Sequence, residues 1–179
     1  MKNILWQSTK LVFALAALPL VAANASAQIA VSANDNKAVL INGVNSVPDN
    51  PAPDTVAIID LNAKPPKLIG EVKAPTSVVG PPNSVAVSRD ESFALVTGAM
   101  KLDPANPKKL IPDNKLSVID LKAAQPAVIQ TLESGPGATG VSINKAGTLA
   151  LVAKSQRRNA VDLHHFRQDV DGRRQGSTR

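Results

Sequence analysis

A short β-branched segment occurs twice in this chain, and its repetition restricts the fold more than any other feature. The segment Leu-Ser-Val-Ile-Asp-Leu at 116–121 has a close copy, Val-Ala-Ile-Ile-Asp-Leu, at 56–61. The flanks recur as well. Residues 29–42 match 85–98, and residues 85–97 match 141–153, each at an offset of 56. A repeat of this length is typical of arrays of similar supersecondary units.

Each repeat contains runs of β-branched residues separated by Gly, Pro, Asn and Asp, a pattern that predicts strands joined by turns. The middle repeat has four such runs, at 84–88, 93–97, 116–121 and 127–132. Four antiparallel strands per repeat predict the blade of a β-propeller. In the first repeat we expect 28–42 to form a hairpin around a turn at 34–36, because Asn and Asp suit turn conformations.

The second repeat resembles the YVTN-repeat β-propellers, which are related to the YncE-type periplasmic proteins. Ser-Arg-Asp-Glu-Ser-Phe-Ala-Leu-Val-Thr at 88–97 is similar to their SPDGKxxYVTN hairpin. Residues 116–121 resemble their vsVID strand, and Gly-Pro-Gly-Ala-Thr-Gly-Val at 135–141 resembles their vGxxPxGVA segment. The resemblance covers about 29–153, although the aromatic residue of YVTN is missing and the period is longer. It implies an all-β incomplete β-propeller of two four-stranded blades and the first hairpin of a third.

The repeats divide the chain into segments. Residues 28–155 are predicted to form the partial β-propeller, with repeats at about 28–84, 85–140 and 141–155. Residues 156–179 are polar, carry six of the seven arginines and are predicted to form an irregular, non-repeat basic tail. An alternative left open is that this tail is translated in a shifted frame. One displaced choice of codons for 160–176 spells a strand, a Gly-Lys turn and a second strand.

The segment 1–27 has the features of an export signal. Two lysines precede an apolar run at 11–23, and Ala-Ser-Ala at 25–27 provides small residues for cleavage. The run is shorter than the roughly 20 residues that span a bilayer. We therefore predict a signal peptide helix at 1–27, cleavage after Ala27, a periplasmic or secreted location and no stable membrane span after cleavage.

Composition argues against several classes of function. The formal net charge of +6 is concentrated in the leader and the tail, so that 28–155 carries only +1, with Phe93 as its single aromatic residue. A nucleic-acid site needs a basic face with stacking platforms, so we predict no nucleic-acid partner. The chain has no Cys and 28–155 has no His, which excludes thiolate, His-metal and His-based catalytic sites from that segment. We predict no cofactor.

The predicted ligand face consists of the loops between the second and third strands of each repeat. These loops, at 43–54 and 98–114, are rich in Pro, Asn and Asp. In propellers they emerge on the same face as the connections between blades, here 74–83 and 134–139. Loops on rigid scaffolds carry function. Candidates for binding an unidentified protein or small ligand are therefore Asp49, Asn50, Asp54, Asp103, Lys108, Lys109 and Asp113.

The competing interpretation is that these polar side chains only satisfy the backbone of turns. The same question applies to Asp60 and Asp120, which end the two copies of the repeated strand. Their equivalent positions in neighbouring repeats favour a structural role, so we interpret both as turn caps rather than as paired catalytic carboxylates.

Three hypotheses for function remain. The first is an exported binding or scaffolding module, present here as a truncated fragment. The second is a fragment of a propeller enzyme or redox subunit, because the resemblance extends to lactonase-like and amine-dehydrogenase-like propellers. The third is binding of a divalent metal by the Asp-rich loops, since such ions prefer carboxylate oxygens. We favour the non-enzymatic hypothesis because the sequence contains no catalytic constellation.

Overall fold

The computed structural model describes residues 28–79, 83–155, 160–168 and 174–178, and all regular structure within these ranges is β-strand. The predicted signal peptide lies outside the described residues. The strands are β1 (Ile29–Asn34), β2 (Val39–Ile41), β3 (Val44–Ser46), β4 (Thr55–Asp60), β5 (Lys67–Lys73), β6 (Val85–Val87), β7 (Phe93–Asp103), β8 (Asn106–Asp120), β9 (Ala127–Glu133), β10 (Ala138–Ile143), β11 (Leu149–Lys154), β12 (Ala160–Gln168) and β13 (Arg174–Thr178).

Three antiparallel sheets follow one another along the chain. Sheet 1 has the strand order β1-β4-β5, sheet 2 has β6-β7-β8-β9, and sheet 3 has β10-β11-β12-β13. Strands β2 and β3 form a separate two-stranded hairpin. Within the described residues, the prediction of an all-β fold is confirmed, and the sheets there are open rather than closed into a barrel.

The middle sheet buries both of its faces. Successive side chains of a strand point to opposite faces, so β7 and β8 can each contribute to two cores. The face toward sheet 3 belongs to a buried cluster of Phe93, Leu95, Leu116, Val118, Ala138, Val141, Ala150 and Val152. The face toward sheet 1 belongs to a second cluster of Val56, Ile58, Ala74, Ala94, Val96, Ile119 and Leu121. The sheets are therefore stacked in chain order through two hydrophobic cores.

The first repeat forms a three-stranded sheet, which corrects the predicted four-stranded blade and the predicted hairpin at 28–42. Ile29 of β1 lies opposite Asp60 of β4. The same pairing occurs in sheet 2 between Phe93 of β7 and Asp120 of β8. Strand β1 is therefore equivalent to β7, and not to β6 as the predicted offset required. The apolar pattern fits both alignments because they differ by an even number of positions and side chains alternate with a period of two.

Within 156–179, the described residues 160–168 and 174–178 form strands, which corrects the prediction of an irregular tail for these residues. Strand β12 pairs with β11, and β13 pairs with β12, so both extend sheet 3 to four strands. The third unit is consequently a sheet rather than a lone hairpin. The edge of β11 presents backbone donors and acceptors that a neighbouring strand satisfies whatever side chains it carries. Translation in a shifted frame stays a prediction.

The two aspartates of the repeated strand are turn caps, as predicted. Asp60 Oδ1 accepts a hydrogen bond of 2.8 Å from the backbone N–H of Asn62. Asp120 Oδ1 accepts hydrogen bonds of 2.8 and 3.2 Å from the backbone N–H groups of Lys122 and Ala123. Each carboxylate thus satisfies the turn that follows its own strand.

Candidate functional site

An open cleft with a volume of about 510 Å³ lies between sheet 1 and sheet 2. Its walls come from the segment before β4, the connection after β5 and the hairpin of β7 and β8. The predicted loop at 98–114 is instead the extended end of the β7–β8 hairpin, and the predicted loop at 43–54 contains β3. Parts of both segments meet the connection between the two sheets at this end of the stack. The apolar part of the lining consists of Ala52, Pro53, Ala74, Pro75, Met100 and Leu102.

The hairpin of β7 and β8 brings its side chains to the cleft because both strands extend beyond the core of sheet 2. The pairing shifts register between Gly98 and Met100, an irregularity that re-aims the following side chains. Gly98 also permits a close approach of the neighbouring connection. A Cβ atom at this position would lie 3.1 Å from the Cβ of Pro75 and 3.3 Å from Asp113 Oδ2.

A buried ionic network forms the sheet 1 wall of the cleft. The Lys37 ammonium donates hydrogen bonds to Asp35 Oδ1 at 3.1 Å, to Asp54 Oδ2 at 2.7 Å and to the Thr76 carbonyl. The three ionic side chains are no more than 9% exposed. An ammonium has three N–H donors, so these contacts use all of them. Lys37 is therefore a structural cation that is not available to a ligand.

Backbone N–H groups complete the network around the two carboxylates. Asp54 accepts hydrogen bonds of 3.1 Å from Asn36 and Thr76, and Asp35 accepts one of 2.9 Å from Val78. These bonds connect the segment after β1 with the connection after β5. Because a buried charge is tolerated only when it is paired and hydrogen-bonded, the network determines the shape of this wall.

The remaining lysines supply positive charge at the cleft. Lys101 is half exposed, and its Nζ lies 3.8 Å from Oδ1 of the buried Asp113. Lys115 donates a 2.7 Å hydrogen bond to Glu133, which raises the pKa of the lysine and lowers the pKa of Glu133. Lys73, at the end of β5, is exposed and has no ion-pair partner among the described side chains. Lys73 and Lys101 are thus the cleft lysines whose ammonium groups make no hydrogen bond among the described residues.

The structure brings two of the seven predicted site residues together, since Asp54 and Asp113 both line the cleft. Asp49 and Lys108 instead form an exposed ion pair of 2.6 Å, which joins the segment before β4 to the start of β8. The hydrogen bond and charge of Lys108 hold the pKa of Asp49 below its usual range.

The other three predicted residues lie away from the cleft. Asp103 Oδ1 accepts a 2.9 Å hydrogen bond from the backbone of Ala105 at the tip of the β7–β8 hairpin. This contact agrees with the competing interpretation, in which an aspartate satisfies a turn. Asn50 and Lys109 are exposed and do not line the cleft.

Sequence reasoning missed the lysines of the cleft. A common pattern was present, because Lys37 and Lys101 each precede a Pro-Asp pair, at 53–54 and 112–113, although a further Pro-Asp pair at 48–49 lies nearer to Lys37. In the structure each lysine lies beside the aspartate of its own pair. The predicted offset of 56 aligned Lys37 with Phe93 instead of with Lys101, and so concealed the correspondence between the two lysines.

No group of three or more His, Cys, Asp or Glu side chains is placed to hold a metal ion in the part of the chain that the structure describes. The aspartates of the predicted metal loops do not converge, since Asp54 and Asp113 line the cleft whereas Asp49 and Asp103 do not. Over the same described residues, no helix combines the length and hydrophobicity needed to cross a membrane.

The fold and the cleft place this protein in the class of all-β proteins with stacked antiparallel sheets, here with an apolar and cationic cleft between the first two sheets. No protein-family profile and no curated protein matches the sequence. Among solved structures, the chain is similar to the crystal structure of a functionally unknown protein from Desulfotomaculum acetoxidans DSM 771, at 16% sequence identity and a TM-score of 0.49. The match covers 83% of this chain and 40% of that chain.

Proposed function

We propose that this protein is an exported, non-enzymatic binding module of the YVTN-repeat β-propeller type and that the cleft between sheets 1 and 2 is its ligand site. The observation that carries the proposal is the composition of the cleft, in which an apolar lining adjoins two lysines able to bind an anion. Ligand pockets are concave, mostly apolar and provided with a few placed polar groups, and this cleft has those properties.

The ligand class follows from the side chains. Met100 and Leu102 on one wall and Pro53 and Pro75 on the other offer contact to an apolar body. Methionine adapts its shape to different partners because its side chain is unbranched and flexible. Lys73 and Lys101 offer ammonium groups to an anion. The proposed ligand is therefore a small molecule or peptide segment with an apolar body and one anionic group.

A pair of fluorescent probes tests this proposal. 8-Anilinonaphthalene-1-sulfonate has an apolar ring system and one sulfonate, whereas N-phenyl-1-naphthylamine has similar rings and no charge. The double substitution Lys73→Gln and Lys101→Gln should weaken binding of the sulfonate roughly fivefold, since each exposed ion pair contributes about 0.5 kcal/mol. Binding of the neutral probe should not change.

The matched control replaces Lys122 and Lys145, two exposed lysines in loops away from the cleft, by Gln. This double variant should bind both probes as the parent does. Equal weakening of the sulfonate in both double variants would show that general surface charge, and not the cleft, attracts the anion. A further substitution, Met100→Asp, should weaken both probes; unchanged binding would place the probes elsewhere.

Export is tested separately. Expression of the full chain in a bacterium, followed by fractionation and N-terminal sequencing, should recover protein from the periplasm or the medium with Gln28 as its first residue. Recovery of the intact N-terminus from the cytoplasm would contradict this part of the proposal without affecting the cleft.

A further inference from the structure

Two sheet faces of this chain carry the apolar residues of an internal interface but have no sheet packed on them within the described residues. We call the side of a sheet toward the next sheet along the chain its front face, and the opposite side its rear face. The front face of sheet 2 and the rear face of sheet 2 are both buried. On the corresponding front face of sheet 3 and rear face of sheet 1, the leucines Leu151 and Leu61 are exposed.

Backbone register identifies the equivalent positions on the rear faces. Leu61 donates its backbone N–H to the Gln28 carbonyl, as Leu121 donates to the Ser92 carbonyl. Leu121, which packs in the core shared with sheet 1, is 7% exposed, whereas Leu61 is 42% exposed. The apolar residues two positions earlier differ in burial in the same way: Ile119 is fully buried, whereas its equivalent, Ile59, is only partly buried.

The front faces show the same difference. Leu151 pairs with Ser142 in sheet 3 as Leu95 pairs with Ala86 in sheet 2. Leu95 is 0% exposed, because sheet 3 covers it, whereas Leu151 is 46% exposed. The two terminal faces thus retain leucine at positions where the middle sheet buries leucine.

Apolar side chains elsewhere on these sheets provide an internal reference. Ile69 in β5 is 45% exposed, but its equivalent Ile129 in the middle sheet is also 38% exposed. Exposure on this outer strand is therefore a property of both repeats. The loss of burial at Leu61 and Leu151 is specific to the two faces that lack a neighbouring sheet.

We infer that a second copy of this chain packs the rear face of its sheet 1, around Leu61, on the front face of sheet 3, around Leu151. The internal interfaces between sheets 1 and 2 and between sheets 2 and 3 both join a front face to a rear face. A second copy continues that packing with the same residue types. The contact is heterologous, because it joins two different faces. If two copies form this contact twice, each with both of its faces, they make a closed dimer; if each copy binds a different neighbour at each face, the assembly is an open chain.

Two substitutions and a matched control test the inference on the full chain. Leu61→Glu and Leu151→Glu each place a charge in the proposed contact, and both side chains are exposed enough in one copy for the fold to accept them. By sedimentation velocity the parent should be dimeric or larger at micromolar concentration. Each variant should raise the dissociation constant at least tenfold, whereas Ile69→Glu should leave it unchanged. Circular dichroism should be the same for all four proteins.

Mixing the variants gives the decisive result. In a dimer of Leu61→Glu with Leu151→Glu, one contact contains both charged faces and the other contains two unaltered faces. An equimolar mixture should therefore associate more strongly than either variant alone. A monomeric parent, or an assembly that Ile69→Glu disrupts as strongly as Leu61→Glu, would overturn the inference. Loss of assembly in the Leu151→Glu variant with no effect of Leu61→Glu would also overturn it, because this result would indicate that the Leu151 faces of two copies meet each other.

Discussion

Lys37 shows how one buried side chain can organise a wall of a cleft without serving as a ligand group. Its ammonium contacts Asp35, Asp54 and the carbonyl of Thr76. Two carboxylates and one ammonium leave a negative charge that backbone N–H groups stabilise. Removing one partner of such a network leaves the other charges desolvated and unpaired, which is more damaging than replacing the whole network by apolar residues.

The substitution Lys37→Met should therefore destabilise the protein by about 3–5 kcal/mol, because it leaves two buried carboxylates without their cation. Urea denaturation measures the difference. Lys73→Met is the matched control, since Lys73 is an exposed lysine of the same cleft, and it should change stability by less than about 0.5 kcal/mol. Similar values for the two variants would mean that the network does not hold the wall.

The ion pair of Asp49 and Lys108 makes a prediction about pH. Because Lys108 lowers the pKa of Asp49, folding favours the ionised carboxylate. The contribution of the pair is present above the unfolded pKa of the carboxyl and is lost as pH falls through the lower, folded pKa. In Lys108→Gln, an NMR titration should show the pKa of Asp49 moving up toward its ordinary value.

Glu133 is the control in the same titration. Its pKa is lowered chiefly by the hydrogen bond from Lys115 and should not respond to a change at Lys108. If both carboxyl groups shift alike, the effect arises from the overall charge of the protein and not from the Asp49 pair.

At the level of strands and connections, Gly98 and Pro75 form a close contact between sheet 2 and the connection that leaves sheet 1. Strand β7 belongs to sheet 2, and Pro75 belongs to the connection that leaves sheet 1. The 3.1 Å separation from a Cβ placed on Gly98 is too short to accept a side chain without movement. An alanine at this position would require the connection or the strand to move by a few tenths of an ångström.

Gly98→Ala should destabilise the protein by about 1–3 kcal/mol through overpacking. A Cβ at position 98 would clash with the Cβ of Pro75, which glycine at position 75 lacks. The double variant Gly98→Ala with Pro75→Gly should therefore be more stable than the sum of the two single effects predicts. Denaturation of the four proteins of this cycle measures the coupling. Strictly additive effects would contradict the proposed contact.

Over the whole molecule, the middle sheet couples two cores that share no other element among the described strands. Leu116 and Val118 of β8 belong to the core with sheet 3, whereas Ile119 of the same strand belongs to the core with sheet 1. Because β8 contributes side chains to both cores, its unfolding would disrupt both of them. The three sheets are thus expected to unfold together and not one at a time.

Leu116→Ala tests this coupling, and it should cost about 2–5 kcal/mol because it leaves a cavity in the core with sheet 3. Hydrogen exchange should then accelerate in β10, which contributes to that core, and also in β4, which contributes to the other. Val128→Ala, at an exposed position of β9, should alter neither. Loss of protection confined to β10 would show that the cores unfold independently.

Local pattern alone was sufficient for several features of this protein. The β-branched runs predicted an all-β chain, and the repeated Asp60 and Asp120 predicted turn caps, because both features depend only on residues within a few positions of each other. The YVTN-type resemblance, export and ligand binding stay predictions, since none of them follows from local geometry.

Tertiary structure decided what pairs with what. An even shift of register preserves the alternation of apolar residues, so only the pairing of β1 with β4 could show that β1 corresponds to β7 and not to β6. Backbone hydrogen bonding to β11 made strands of a polar segment that has little apolar alternation. The burial of Lys37 depends on Asp54 and Thr76, which are distant in sequence and meet only when the connection after β5 closes over the segment after β1.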